Sequence, residues 1–83
     1  MPENNHRILM SEMTAGEDAT VLDFLGGRSV TNRLTSLGFT PGVHINMTQN
    51  YGRGPLIVTV RGTRVALGRG EASKIIVERG SRE

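Results

Sequence analysis

The stretch RLTSLGFTPGVHI, Arg33 to Ile45, changes its period within thirteen residues. No other feature constrains the chain as strongly. Upstream, Val30, Leu34 and Leu37 recur at helical spacing, which gives a short helix one apolar face. Ser29 stands at the N-cap position of that helix. Gly38 falls where a helix ends on a left-handed residue, a conformation that costs glycine no Cβ penalty. Phe39 follows, placed to touch Leu34 in the apolar contact of a Schellman ending. Thr40-Pro41-Gly42-Val43 then has proline and glycine where a type II turn needs them. From Val43 to Tyr51 the pattern alternates, with Val43, Ile45 and Met47 against His44, Asn46 and Thr48. That is a half-buried strand. Leu34, Leu37 and Phe39 are expected in the core.

Eleven glycines in 83 residues extend this punctuation along the chain. Met1 to Arg7 is expected to fray. Ser11 is placed to cap a single helical turn through Glu12 and Met13, closed by Gly16. Ile8, Leu9 and Met13 would tuck under the domain. Asp18 to Leu25 is β-prone, but Val21, Leu22, Phe24 and Leu25 cannot share one face of a regular strand. A bulge, or a strand covered on both faces, reconciles them. Gly26-Gly27 then breaks the chain before the helix.

After the loop GRGP, Gly52 to Pro55, LIVTV presents Leu56, Val58 and Val60 on one face. Gly62-Thr63 fits a two-residue type II′ turn. That turn sets Val60 opposite Val65 and Val58 opposite Leu67, all on one face. It also sets Arg61 opposite Arg64 on the outer face, a mildly unfavourable like-charge pair that an acidic partner would relieve. Glu71 to Lys74 predicts one helical turn and Ile75 to Val77 a short strand, with Gly80 to Glu83 fraying.

This inventory predicts one mainly β domain spanning residues 1–83, with 1–7 and 80–83 frayed. It would be a small, strongly bent, SH3-like barrel of about five strands. A short helix is inserted after the first strand, and single helical turns lie near both ends. Such curling removes sheet edges and lets few residues enclose one core.

Composition narrows the function. The chain has no cysteine, which excludes disulfides and thiolate metal sites and fits a reducing cytoplasm. No apolar run approaches the ~18 residues of a membrane span, and MPENNHR carries no signal-peptide pattern. The expected location is cytoplasmic. Nine of the ten cations are arginines, and they are unevenly placed. Residues 1–50 hold three arginines against five acids, whereas residues 51–83 hold seven cations against three acids. The second half therefore presents a positive face.

No catalytic constellation emerges. His6 lies in the tail and His44 stands alone on a polar strand face, without the three or four convergent ligands a metal site needs. The methionines Met1, Met10, Met13 and Met47 suit core filling. No serine nucleophile motif is present, and Asp18 and Asp23 would point to opposite faces. Neither Gly52-Arg53-Gly54 nor Gly68-Arg69-Gly70 opens a substantial helix after a strand in the phosphate-loop pattern, and both are expected to be turns. No catalytic residue, metal ligand or cofactor is expected. Nucleic-acid binding is the rival, since small barrels with arginine-rich loops support it. Stacking on bases needs exposed aromatics, and only Tyr51, Phe24 and Phe39 exist.

Three segments carry a resemblance that covers Ile8 to Val77. MSEMTAGEDATV is similar to L-S-E-L-x-x-G-x-x-A-x-V, the opening of the FeoA family of small ferrous iron transport proteins. GRSVTNRLTSLGFTPG resembles that family's R-L-x-x-L-G-x-x-P-G, and GPLIVTVRGTRVALGRGEASKIIV its closing hairpin and last strand. The departures are Met10 and Met13 for leucine and Gly68 for a larger residue. The resemblance implies a non-enzymatic SH3-like protein of bacterial ferrous iron uptake. Its partner would be FeoB, a large membrane transporter with a cytoplasmic G-protein domain, which would hold it peripherally at the inner membrane. The alternative is a nucleic-acid-binding or repressor-associated module of the same fold. Candidate contact residues are Arg28, Asn32, Arg33 and Ser36 on the wet helix side, with Arg61 and Arg64 at the hairpin tip. Arg33, which matches the family motif, either touches a partner or braces the barrel.

Overall fold

Alternating aliphatic residues drive the chain into strands, and glycine-rich turns fold those strands back on one another. The structure is a computed structural model that describes residues 6–80. Six strands form one antiparallel sheet: β1 (Arg7–Leu9), β2 (Asp18–Phe24), β3 (His44–Gln49), β4 (Leu56–Val60), β5 (Thr63–Leu67) and β6 (Ile75–Arg79). Their order is β1-β6-β2-β3-β4-β5. A 3₁₀ turn, Met10–Glu12, follows β1; the helices α1 (Arg28–Ser36) and α2 (Arg69–Ala72) follow β2 and β5.

The inward positions of neighbouring strands meet in register. Val21 faces Val77, Ala19 faces Ile45, Ile45 faces Val60, and Leu56 faces Leu67. Met10, Met13, Leu34, Phe39 and Ala72 join them from outside the strands, each at most 1% exposed. Each valine, leucine, isoleucine, methionine or phenylalanine among them contributes roughly 1.5–3 kcal/mol by leaving water. No polar or charged side chain is buried among the described residues. The core is therefore wholly apolar.

The switch from helix to strand is built as its residues demand. Gly38 has a φ of 106°. Its N–H bonds the Thr35 carbonyl (3.0 Å) and the Phe39 N–H bonds the Leu34 carbonyl (3.1 Å), the bond pair of a Schellman ending. Leu34 and Phe39 are both fully buried. The Val43 N–H then bonds the Thr40 carbonyl (3.0 Å) across a turn with Gly42 at φ 93°, a type II turn. In β2 the pairing with β6 shifts between Val21 and Asp23. Of the two ways to reconcile Val21, Leu22, Phe24 and Leu25, a bulge or a strand covered on both faces, the register shift shows the bulge.

Several expectations are corrected. Arg7 does not fray: Arg7, Ile8 and Leu9 pair with Glu78, Val77 and Ile76 as a sixth strand, so the helix follows the second strand. Three residues are too few to show a period, but they cover the free edge of β6. His6 is also held, its carbonyl accepting from the Arg79 N–H (2.8 Å), and of the expected tails residues 1–5 and 81–83 lie outside the described residues. Ser29 does not cap α1. Gly27, in extended conformation, takes that position without a side chain to offer, and its carbonyl accepts from Thr31 (3.1 Å). Ser11 does not cap the first turn either, which starts from Leu9; the Glu12 carboxylate accepts from the Leu9 N–H (2.9 Å). Leu37 is not core. It is the C-cap residue, where the chain already swings toward Gly38, and it stays 36% exposed.

The hairpin register differs by two residues. Val60 pairs with Thr63, Val58 with Val65 and Leu56 with Leu67. The turn is therefore Arg61-Gly62, with φ of 53° and 80°, the signature of type I′ rather than II′. A two-residue slip keeps every side chain on its face, so alternation cannot tell the registers apart. The observed register closes on the Arg61-Gly62 turn, pairs all five residues of β4 and leaves Gly68 and Arg69 free to begin α2. Arg64 now faces Thr59, and the expected Arg61–Arg64 repulsion does not arise. Smaller shifts affect β3, which stops at Gln49, the α2 turn, which begins at Arg69, and β6, which runs on to Arg79.

These placements give a ranking. Leu34→Ala is expected to cost about 2–5 kcal/mol, and Gly38→Ala about 1–2 kcal/mol from its left-handed backbone. Leu37→Ala should cost less than about 1 kcal/mol, because much of that side chain already faces water. Urea denaturation of the three variants checks the order.

Candidate docking surface

The outer face of the sheet carries a polar row across four strands. Asp18 faces Asn46, Asn46 faces Thr59, and Thr59 faces Arg64. The Asn46 amide donates to the Asp18 carboxylate (2.9 Å), and the Thr48 and Thr59 hydroxyls pair at 2.6 Å. His44, beside this row, lies with Nε2 3.5 Å from Asp18 Oδ1. The row is acidic at Asp18 and cationic at Arg64.

The sequence-predicted contact residues separate into three kinds. Arg28, Asn32, Arg61 and Arg64 are exposed. Among the described residues, the three arginines of that set have no carboxylate partner. Arg61 Nη2 instead donates to the Thr40 hydroxyl (3.4 Å), which joins the hairpin tip to the turn following α1. Ser36 is exposed, but its hydroxyl is spent on the Arg33 carbonyl (2.7 Å). Arg33 forms an ion pair with Glu71 of α2 through its Nε, so it braces one helix against the other. Glu71, 38 positions away, could not be paired with Arg33 by any local signal in the sequence.

A second ion pair ties the last strand to the loop before β2. Arg79 Nε and Nη2 donate to the two Glu17 oxygens at 2.9 and 3.3 Å. The Arg79 guanidinium, helped by the Thr14 N–H, holds the Glu17 carboxyl below the usual glutamate value, against the opposing effect of burial. The hydrogen bond from Arg33 lowers Glu71 in the same way. Arg69, which the sequence placed in a simple turn, is partly buried and donates to the Asn50 side chain (2.7 Å) and the Gly54 carbonyl (3.2 Å). Among the described residues no three His, Asp or Glu side chains gather as metal ligands, and no helix is long and apolar enough to cross a membrane.

Comparison with known proteins places this architecture. A family model described as the FeoA domain matches residues 8–79. A Methanocaldococcus jannaschii protein named for Fe(2+) transport, transport protein A, is 36% identical over 63 residues, 76% of each chain. The crystal structure of an iron uptake regulatory protein, FeoA, matches with a TM-score of 0.84 at 36% identity, over 88% of this chain and 97% of that one. Stenotrophomonas maltophilia FeoA complexed with zinc, an SH3 domain protein, matches at 0.74 and 31% identity, over 83% and 87% of the two chains. A manganese-dependent transcriptional repressor shares the fold alone, with a TM-score of 0.80 at 18% identity over 44% of its length.

Both depressed glutamates give the fold an acid dependence of defined sign. The unfolded chain takes up these protons near the ordinary value of 4.5, and the folded chain only at lower pH. Their stabilisation is thus complete above that value and is lost as pH falls below it. The pairs are partly exposed, so each contributes no more than about 1 kcal/mol. Melting temperatures between pH 6 and 3 should fall less steeply for Glu17→Gln than for the unaltered chain.

Proposed function

The chain belongs to the FeoA family, and we propose that it is a non-enzymatic accessory protein of ferrous iron uptake. In this reading it docks, in the cytoplasm, on the cytoplasmic part of a FeoB-like membrane transporter with a G-protein domain. It sits at the inner membrane only through that partner. The observation that carries the reading is the set of exposed arginines, Arg28, Arg61 and Arg64, which have no carboxylate partner among the described residues and are held on a barrel in which none of those residues buries a polar or charged side chain. A molecule built this way has little to offer but its outside. Arg61 and Arg64 lie on one hairpin, and Arg61 is joined through Thr40 to the turn that follows α1, the helix that bears Arg28 and Asn32. An acidic surface would meet these groups without displacing an existing ion pair.

Arg61 adds a local argument. It is the one non-glycine with positive φ among the described residues, in a turn position that favours asparagine or glycine. An arginine there costs backbone energy of about 1–2 kcal/mol, and strain of this kind persists mainly where a side chain is needed. Arg33 and Ser36 stand apart, as parts of the brace between α1 and α2 and of the α1 backbone.

Calorimetry with the purified G-protein domain of the transporter tests the surface. Arg61→Glu with Arg64→Glu is expected to weaken binding at least tenfold, and to remove most of its salt dependence. Arg33→Gln should lower thermal stability slightly and leave the affinity unchanged. Unaltered binding by the double reversal would dismiss the hairpin tip as the contact.

A further inference from the structure

The loop between β3 and β4 is organised by a network that the hairpin-tip contact does not use. The Asn50 side chain makes four hydrogen bonds. Its Nδ2 donates to the Met13 carbonyl (2.7 Å) and the Ser11 carbonyl (3.4 Å). Its Oδ1 accepts from the Gly52 N–H (2.9 Å) and from Arg69 (2.7 Å). Arg69 also reaches the Gly54 carbonyl (3.2 Å). One amide thus pins the 3₁₀ turn, the loop and α2 together, with every donor and acceptor it owns satisfied. A fully satisfied network of this kind restrains the loop at Asn50, Gly52 and Gly54.

What the fixed loop holds out is Tyr51, 77% exposed, followed by exposed Arg53. A large aromatic on a rigid support loses little freedom when a partner covers it, and Tyr and Arg are the residue types that dominate interface energetics. Neither Arg53 nor Arg69 has a carboxylate partner among the described residues. Acids on the segments that this network joins are engaged elsewhere: Glu12 accepts from the Leu9 N–H, and Glu71 pairs with Arg33. The loop lies at one end of β4 and the Arg61-Gly62 turn at the other. Five residues of strand separate them by about 17 Å at 3.3–3.4 Å per residue.

We infer that residues 50–55 form a second docking surface, which takes an acidic segment of a protein partner. Tyr51 covers an apolar side chain of that segment, Arg53 meets its carboxylate, and Arg69 adds positive potential from behind. A nucleic-acid strand would call for several stacking side chains. The only other aromatics here are Phe39, which is buried, and Phe24, which is half-buried. The inference rests on the transporter reading for its partner, and it makes the barrel a spacer gripped at both ends of one strand. Two linked contacts bind far more tightly than either alone.

The test is an amide NMR titration of the full chain with the G-protein domain of the transporter. Two sets of perturbed residues are expected, one at 50–54 and one at 28–36 with 61–64. Tyr51→Ala with Arg53→Glu should erase the first set, keep the second and weaken affinity at least fivefold, without change in melting temperature. Perturbation confined to the second set, or an unchanged affinity in that variant, overturns the second surface and leaves the transporter reading standing. No perturbation anywhere overturns both. A single-stranded oligonucleotide that perturbs residues 50–54 more strongly than the domain does overturns the acidic-segment assignment.

Discussion

The left-handed residue that ends α1 governs much of the rest. With Gly38 at positive φ, the Phe39 N–H can close onto the Leu34 carbonyl, and Phe39 enters the core beside Leu34. A side chain at residue 38 would meet only the Val60 methyls at 3.7 Å or more, so the demand for glycine comes from the backbone and not from crowding. Once the helix has stopped there, the type II turn hands the chain to β3. The Gly42 N–H bonds the Val21 carbonyl (2.7 Å) and the Val21 N–H bonds the Val43 carbonyl (2.9 Å), which extends the β2–β3 pairing into the turn. The same turn presents Thr40 to Arg61. Backbone geometry at a few positions thus sets both the closure of the core and the place of one arginine.

Function follows from how completely the curled sheet sorts its residues. Inward positions are aliphatic, and outward positions carry Asp18, Asn46, Thr59 and Arg64 in a row. Ionisable groups divide into those that hold the fold and those left for others. Glu17 with Arg79 and Glu71 with Arg33 belong to the first kind. Arg28, Arg53, Arg61 and Arg64, exposed and without carboxylates among the described residues, belong to the second. The proposed docking draws on this division.

Much of the fold was legible because its signals are local. The helix stop at Gly38, the contact of Phe39 with Leu34, the turn at Pro41-Gly42 and the bulge in β2 each follow from a few adjacent residues. The failures share a different cause. Alternation has a period of two, so it could place Val58 and Leu67 on the inner face but could not choose between registers two residues apart. Strand β1 depends on the free edge of β6, which no three-residue window reveals. Leu37 kept its helical spacing but lost its cover once the chain turned away. The candidate surface was legible only in part. Exposure of Arg28, Arg61 and Arg64 followed from their faces, whereas the Arg33–Glu71 pair and the Asn50–Arg69 network join segments distant in sequence.

Native-state hydrogen exchange at Gly38 and Phe39 tests the central claim most directly. If the helix ending and the core form one cooperative unit, both amides exchange only through global unfolding. Their opening free energies should then equal those of the Ile45 and Val58 amides within about 0.5 kcal/mol. Rapid exchange at Gly38 and Phe39, with β3 and β4 still protected, would mean that the barrel closes without its switch, and would contradict the account.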